Sequence, residues 1–157
     1  MGYAEGVAPL ASFNYGKRDT HALRGILRRS LTLIAAFSFF TTAVSILIAA
    51  PITGIFAAAG THVYELAVHG FRIHAITFLF LGFSMYGASF FTALGDGRTS
   101  ALLSVWDTLI CLLGFLLLLP HIFGVDGVFM ATPAADFLGA SLTFILLWKK
   151  RKIYGYW

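Results

Sequence analysis

The chain is far more apolar than a soluble domain: of its 157 residues, 59% are hydrophobic and only 11% are charged. Soluble domains carry about 25% charged residues, so a chain of this length has no soluble core large enough for this much apolar surface. The composition therefore excludes a soluble domain and indicates an integral membrane protein. The formal net charge is +4, but Lys and Arg flank apolar runs, which favours anionic lipid over nucleic acid as the partner.

The chain begins with a short apolar segment that is followed by a basic one. Residues 2–13 are too short to cross a bilayer and end at Asn14-Tyr15-Gly16. They are either a re-entrant or interfacial segment or, as we expect, the end of a transmembrane helix whose beginning is absent. Residues 17–29 carry leucines and an isoleucine on one helical face and arginines on the other, which predicts a short helix on the membrane surface or a plain loop.

Four apolar runs follow, and each is long enough to cross a bilayer. At about 1.5 Å per residue, about 20 helical residues span the hydrocarbon core. The predicted spans are residues 30–50, 73–94, 101–119 and 128–148. The turn Gly95-Asp96-Gly97-Arg98 is so short that the second and third spans must lie antiparallel. The predicted fold is an all-α, polytopic transmembrane helix bundle with four full spans and a partial N-terminal helix.

The basic residues predict the orientation of the bundle. Five lie before the first span and four after the last, whereas the connection at residues 120–127 has none. The positive-inside rule then puts both ends of the segment in the cytoplasm, with residues 51–72 and 120–127 outside. Tyr154, Tyr156 and Trp157 are candidates for an interfacial aromatic anchor.

Two acids within the predicted spans are the candidates for ion coupling, because a charge inside a membrane is costly. Asp107 lies in the third span and could titrate, bind a cation or face a water-filled vestibule; it could also be a structural acid bonded to its neighbours. Asp136 lies in the fourth span, beside Pro133. A proline that breaks the helix next to a carboxylate is typical of ion sites, although a packing hinge would look the same.

The other polar and aromatic residues give weaker signals. The stripe His62, Glu65, His69 and Arg72 could hold a metal, but its arginine favours a Glu65–Arg72 interaction, or an interaction with a missing partner, so no metal site is predicted. Cys111 is expected to be a packing residue. Nucleotide loops, catalytic triads and paired cysteines are missing from the sequence, which predicts a non-enzymatic protein without a cofactor.

Three aromatic residues of the second span, Phe80, Phe83 and Tyr86, are candidates for the wall of a substrate cavity. A surface that faces lipid is the alternative for the same residues.

Several short motifs resemble one transporter family. They are GYAEGVAPL at 2–10, SFNYG at 12–16, FRI at 71–73, SFFTALG at 89–95, GVDG at 124–127 and PAAD at 133–136. In this order and spacing they resemble the multidrug and toxic compound extrusion (MATE) transporters, from the end of helix eight to helix twelve. Some members carry a cation-binding acid in helix ten, whereas residues 73–94 here contain none.

The resemblance implies part of the C-terminal lobe of a two-lobe, twelve-helix transporter in the plasma or inner membrane. Such a protein exports amphipathic, often cationic compounds through alternating access, with H⁺ or Na⁺ as the coupling ion. Its partners would be the bilayer, the missing N-terminal lobe and the first helices of the C-terminal lobe. Two alternatives remain: a four-span interaction or scaffold protein assembled through small-residue helix faces, and a lipid-linked oligosaccharide flippase of the same broader superfamily.

Overall fold

The computed structural model describes residues 2–156, and these residues form helices joined by short turns. Trp157, one of the three predicted anchor residues, lies outside this range. The helices in chain order are α1 (Gly2–Gly16), α2 (Thr20–Phe56), α3 (His62–Ala75), α4 (Phe78–Ala93), α5 (Gly97–Val105), a π-helical segment (Trp106–Leu112), α6 (Leu113–Phe123) and α7 (Val125–Tyr154).

The apolar helices have the length that a bilayer requires. Within the described residues, three candidate spans meet the criteria of length and hydropathy: α2, the continuous α5–π–α6 helix, and α7. The pair α3 and α4 makes a fourth if it is counted as one bent span. The prediction of an all-α, multi-pass membrane bundle is confirmed.

The second predicted span is bent rather than straight. The axes of α3 and α4 differ by 42°, and the break falls at Ile76 and Thr77. Here the backbone changes to the tighter i→i+3 pattern, since Thr77 N–H donates to the carbonyl of His74 at 3.0 Å and Phe80 N–H donates to that of Thr77 at 3.0 Å. Because neither Pro nor Gly stands at this break, the sequence contains no signal for it.

The basic segment before the first span is not a separate surface helix or a loop. It forms the first turns of α2, a single helix of 37 residues and about 55 Å. Asp19 caps this helix by accepting a hydrogen bond from Ala22 N–H at 2.9 Å. The buried side of α2 continues through both parts, from Leu23 and Leu27 to Ser30, and this shared packing keeps the helix unbroken.

The core is aromatic at the end of the bundle where the chain finishes. Tyr86 stacks on Phe90 at 5.7 Å between ring centroids, and Phe90 meets the edge of Tyr156 at 5.4 Å. Tyr156 has 0% exposure, and its hydroxyl donates to the carbonyl of Leu147 at 3.1 Å. Tyr156 is therefore not available as the interfacial anchor that the sequence suggested, because its side chain is buried in the core.

An ion-pair network holds the same end of the bundle together. Asp96 accepts hydrogen bonds from Lys150 Nζ at 2.5 Å, from the Tyr154 hydroxyl at 2.8 Å and from the Thr99 hydroxyl at 2.6 Å. Burial works to raise the pKa of Asp96, but the donated hydrogen bonds, that of Lys150 first, outweigh it and hold this pKa well below its usual range. We call these four residues the Asp96 network; it ties the α4–α5 turn to the end of α7.

The opposite end has a different ion pair from the one expected. His69 Nε2 lies 3.2 Å from Asp126 Oδ1, and both side chains are half exposed. Among the described residues Glu65 and Arg72 form no ion pair, so the interaction expected between these two residues is not found, and an interaction with a missing partner stays a prediction. The reason is tertiary, because α3 packs against the start of α7 and brings His69 to Asp126.

A candidate intramembrane carboxylate site

The two candidate acids, which lie in different spans, line one cavity. This cavity has a volume of about 530 Å³ and lies between α1, α4, α5 with the π-helix, and α7. Its polar and titratable lining residues are Glu5, His74, Thr77, Ser84, Ser89, Ser104, Asp107, Thr108, Thr132 and Asp136. The sequence singled out Asp107 and Asp136 separately, and only the packing of the helices brings them to the same space.

Asp107 is carried by the π-helical segment and is bonded on one side only. The Ser84 hydroxyl of α4 donates to Asp107 Oδ2 at 2.8 Å, whereas the buried Oδ1 has no partner among the described residues. A π-helix inserts a wider turn into an α-helix and is frequent at functional sites. Sequence reasoning missed both the π-helix and Ser84, because neither has a signal in the apolar pattern.

Asp136 is more deeply buried, with 5% exposure, and its Oδ2 atom has no partner in the described part of the chain. The helix that carries it is unbroken from Val125 to Tyr154 although it contains Pro133. The expected broken helix is therefore not found. Asp136 reaches the cavity from a continuous helix.

Gly139 of α7 allows α4 and the π-helical segment to come close to α7 at this site. A Cβ atom at Gly139 would lie 2.3 Å from Asp107 Oδ1 and 2.6 Å from Ser84 Oγ, far inside van der Waals contact. The sequence indicates Gly139 and Ala135 as a pair of small residues for close helix contact. In the structure, the space beside Gly139 is filled by the hydrogen-bonded pair Asp107 and Ser84.

The site has an excess of buried acceptors. Three carboxylates line the cavity, those of Glu5, Asp107 and Asp136, and the lining includes no Lys or Arg. Asp107 and Asp136 each have a buried oxygen that lacks a donor among the described residues. Thr77 contributes a further buried hydroxyl without a partner. Buried carboxylates need a proton, a cation or a donor. The arrangement is thus suited to holding a proton or a small cation. In the described residues there is no group of three or more His, Cys, Asp or Glu side chains with the spacing of a metal site.

The three aromatic candidates lie outside this cavity. Phe80 packs on Phe137 of α7 at 5.2 Å between centroids, and Phe83 packs on Phe144 at 5.3 Å. Tyr86 is buried in the aromatic core. They are contacts between helices here, so they do not form the wall of the cavity that contains Asp107 and Asp136.

The bundle of apolar helices with buried carboxylates defines the chain as a multi-pass membrane protein. The family model described as MatE matches residues 1–117, which is most of the chain. The chain belongs to the MatE family.

Solved structures of MATE transporters have the same fold. An inward-facing conformation of a multidrug resistance MATE family transporter of the MOP superfamily is 17% identical, with a TM-score of 0.89 over 98% of this chain and 36% of that one. An outward-facing conformation of such a transporter gives 18% and 0.87, over 98% of this chain and 35% of that one. The Vibrio cholerae MATE transporter VcmN in the bent form gives 18% and 0.86, over 96% and 34%.

The chain spans only about 35% of the length of these solved transporters. A comparison with curated protein sequences finds no match.

Proposed function

We propose that the chain is a segment of the C-terminal lobe of a secondary active multidrug efflux transporter, from the end of helix eight to helix twelve. The complete protein exports amphipathic or cationic compounds by H⁺ or Na⁺ antiport through alternating access. The observation that carries the proposal is the meeting of Asp107 and Asp136 in one intramembrane cavity, in a chain of the MatE family.

The likeness to two opposite conformations supports alternating access. The TM-score is 0.89 to an inward-facing and 0.87 to an outward-facing transporter. Because the segment is similar to both states, we propose that it keeps its shape while the transporter changes state. This is the behaviour of a lobe that rocks as a rigid body against the other lobe.

The coupling ion is proposed to bind at Asp107 and Asp136. An ionisable residue within a membrane span is a functional candidate because it costs free energy to keep there. Within the part of the chain that the structure describes, each of these two carboxylates has a buried oxygen without a donor. An ion that binds here therefore satisfies the site, and its departure leaves the site uncompensated. That difference in free energy is what a coupled transporter needs in order to link ion binding to a change of conformation.

The bilayer and the rest of the transporter are the proposed partners. Because the chain spans about 35% of the solved transporters, the N-terminal lobe and the first helices of the C-terminal lobe would come from residues beyond this segment. Both ends of the segment are proposed to lie in the cytoplasm of a plasma or inner membrane. Reading the coding sequence upstream of Met1 tests whether the missing lobe and helices belong to the same protein, since an in-frame continuation with about eight further spans is expected.

The substitution Asp136→Asn in the complete transporter tests the coupling role. It removes the charge and preserves the shape of the side chain, so we expect drug export to fall to the level of cells without the transporter while the amount in the membrane is unchanged. Export is measured as the efflux of a fluorescent cationic dye, and the amount in the membrane by immunoblotting.

A matched control is Asp126→Asn, which changes a half-exposed acid at the start of the same helix. It is expected to leave export within about twofold of the wild type, since its ion pair is exposed and contributes little. Normal export by the Asp136→Asn variant would remove Asp136 from the mechanism.

A further inference from the structure

A groove at the basic end of the bundle is separate from the carboxylate cavity. It has a volume of about 450 Å³ and lies between the first turns of α2 and the C-terminal residues. Its lining residues are Arg24, Leu27, Arg28, Leu31, Thr32 and Tyr156. Those from α2 include pairs that are three or four residues apart, so they share one face of that helix.

The half of the groove next to the start of α2 has positive charge without a carboxylate partner among the described residues. Arg24 and Arg28 are both exposed, are four residues apart on one helix face, and have no carboxylate partner within the described residues. Two like charges at this spacing repel and destabilise a helix slightly. An anion held between the two guanidinium groups would remove this repulsion, and two forked donors match the oxygens of a phosphate group.

The half of the groove next to the charge-free run of α2 is apolar. Leu27 is buried, Leu31 is partly exposed, and the charge-free run of α2 starts at Ser30. Tyr156 forms the back wall and is held there by its hydrogen bond to the carbonyl of Leu147. The basic and apolar halves thus meet where the charge-free run of α2 begins, which is where a membrane-spanning helix is expected to pass from headgroups to hydrocarbon.

We propose that this groove binds one anionic phospholipid, with its phosphate between Arg24 and Arg28 and an acyl chain along Leu31. A soluble phosphate would use only the basic half of the groove. Nucleic acid would need a broad basic surface in water, whereas this groove continues into the apolar run of α2. The site is independent of the proposed transport function, since it requires only that the chain lies in a membrane.

Native mass spectrometry of the purified complete transporter tests the site, with phosphatidylglycerol and phosphatidylcholine of the same acyl chains in equal amounts. The wild type is expected to retain phosphatidylglycerol preferentially. The double variant R24Q/R28Q is expected to bind phosphatidylglycerol about 10- to 30-fold more weakly, with its binding of phosphatidylcholine unchanged.

The matched control is R29Q/R98Q, which removes the same charge from two exposed arginines at the same end of the bundle but outside the groove. It is expected to change binding less than about threefold. Equal losses in both double variants would mean a diffuse attraction and overturn the proposal. So would a wild type that binds both lipids equally, whatever the variants do. Displacement of phosphatidylglycerol by inorganic phosphate would identify a simple anion site and overturn the assignment to a lipid.

Discussion

The position of the Asp107 carboxylate depends on a residue without a side chain on the facing helix. Gly139 presents only backbone to Asp107 and Ser84, and the space that a Cβ atom would need is already filled by their oxygens. A protein interior of this kind has two adjustments available when volume is added: the helices separate, or the side chains leave their hydrogen bond. Either one would alter the cavity that contains Asp136.

Gly139→Ala is therefore expected to be costly although the change is small. We expect it to lower the free energy of unfolding by about 1 to 3 kcal/mol, measured by denaturant or thermal unfolding in detergent. The control is Gly114→Ala, where an added Cβ would meet nothing within 4 Å among the described residues, and the expected change there is a gain of up to about 1 kcal/mol from helix propensity. Equal stability of both variants would show that α4, the π-helix and α7 adjust freely at the site.

At the scale of elements, the turns and helix ends decide how the spans stay together. The Asp96 carboxylate, whose side chain is 11% exposed, caps α5 and also receives Lys150 and Tyr154 from α7. One side chain thus caps the start of α5 and joins two spans. The π-helix and the bend at Thr77 act at the same scale, because each turns a helix so that different residues face the cavity.

Lys150→Gln is expected to weaken this junction. Its removal leaves Asp96 without its charged donor and should cost about 1 to 3 kcal/mol at neutral pH. Lys149→Gln, the exposed neighbour, is the control and should stay within about 0.5 kcal/mol of the wild type. Both are measured by the same unfolding assay.

The pH dependence gives the junction a signature of its own. A carboxyl whose pKa is lowered in the folded state contributes stability above its unfolded-state pKa, 3.8 for Asp96, and this contribution is lost as pH falls through the folded-state pKa. The advantage of the wild type over Lys150→Gln should thus be constant between about pH 6 and 8 and should shrink below about pH 4. A difference that stays constant at low pH would mean that Lys150 acts through packing alone.

At the scale of the whole molecule, the C-terminal ends of α1 and α7 and the basic connections lie at one end of the bundle. Tyr15 at the end of α1 packs on Tyr154 at the end of α7, at 5.7 Å between centroids, and the Asp96 network joins the α4–α5 turn to the same place. The ion pair of His69 with Asp126 marks the other end. This arrangement agrees with the alternation of charge along the sequence, from which both chain ends are expected on the cytoplasmic side.

Labelling of single cysteines checks this topology in cells. In a Cys111→Ala background, the variants Arg28→Cys and Lys152→Cys should react with a membrane-impermeant maleimide only after the cells are permeabilised. A cysteine at Val63, which is 66% exposed, should react in intact cells. Labelling of Arg28→Cys and Lys152→Cys from opposite faces would contradict the topology and the kinship to exporters that rests on it.

The sequence by itself determined the environment of the chain and its class, a multi-pass bundle of apolar helices. A bilayer requires about 20 apolar residues per helical crossing and disfavours charge within it, so the lengths of the apolar runs and the positions of Lys and Arg are sufficient. The family motifs also lie in the sequence. Asp107 and Asp136 could be selected from it because acids are rare in such spans.

The tertiary structure alone decided what these acids face. In spans that are apolar on every side, the hydrophobic pattern does not distinguish a face that meets lipid from a face that meets another helix. The contacts of Asp107 with Ser84 and Gly139, the π-helix, the bend at Thr77 and the burial of Tyr156 therefore have no periodic signal. They follow from the close packing of helices that are distant in the chain, and this packing brings the two carboxylates into one cavity.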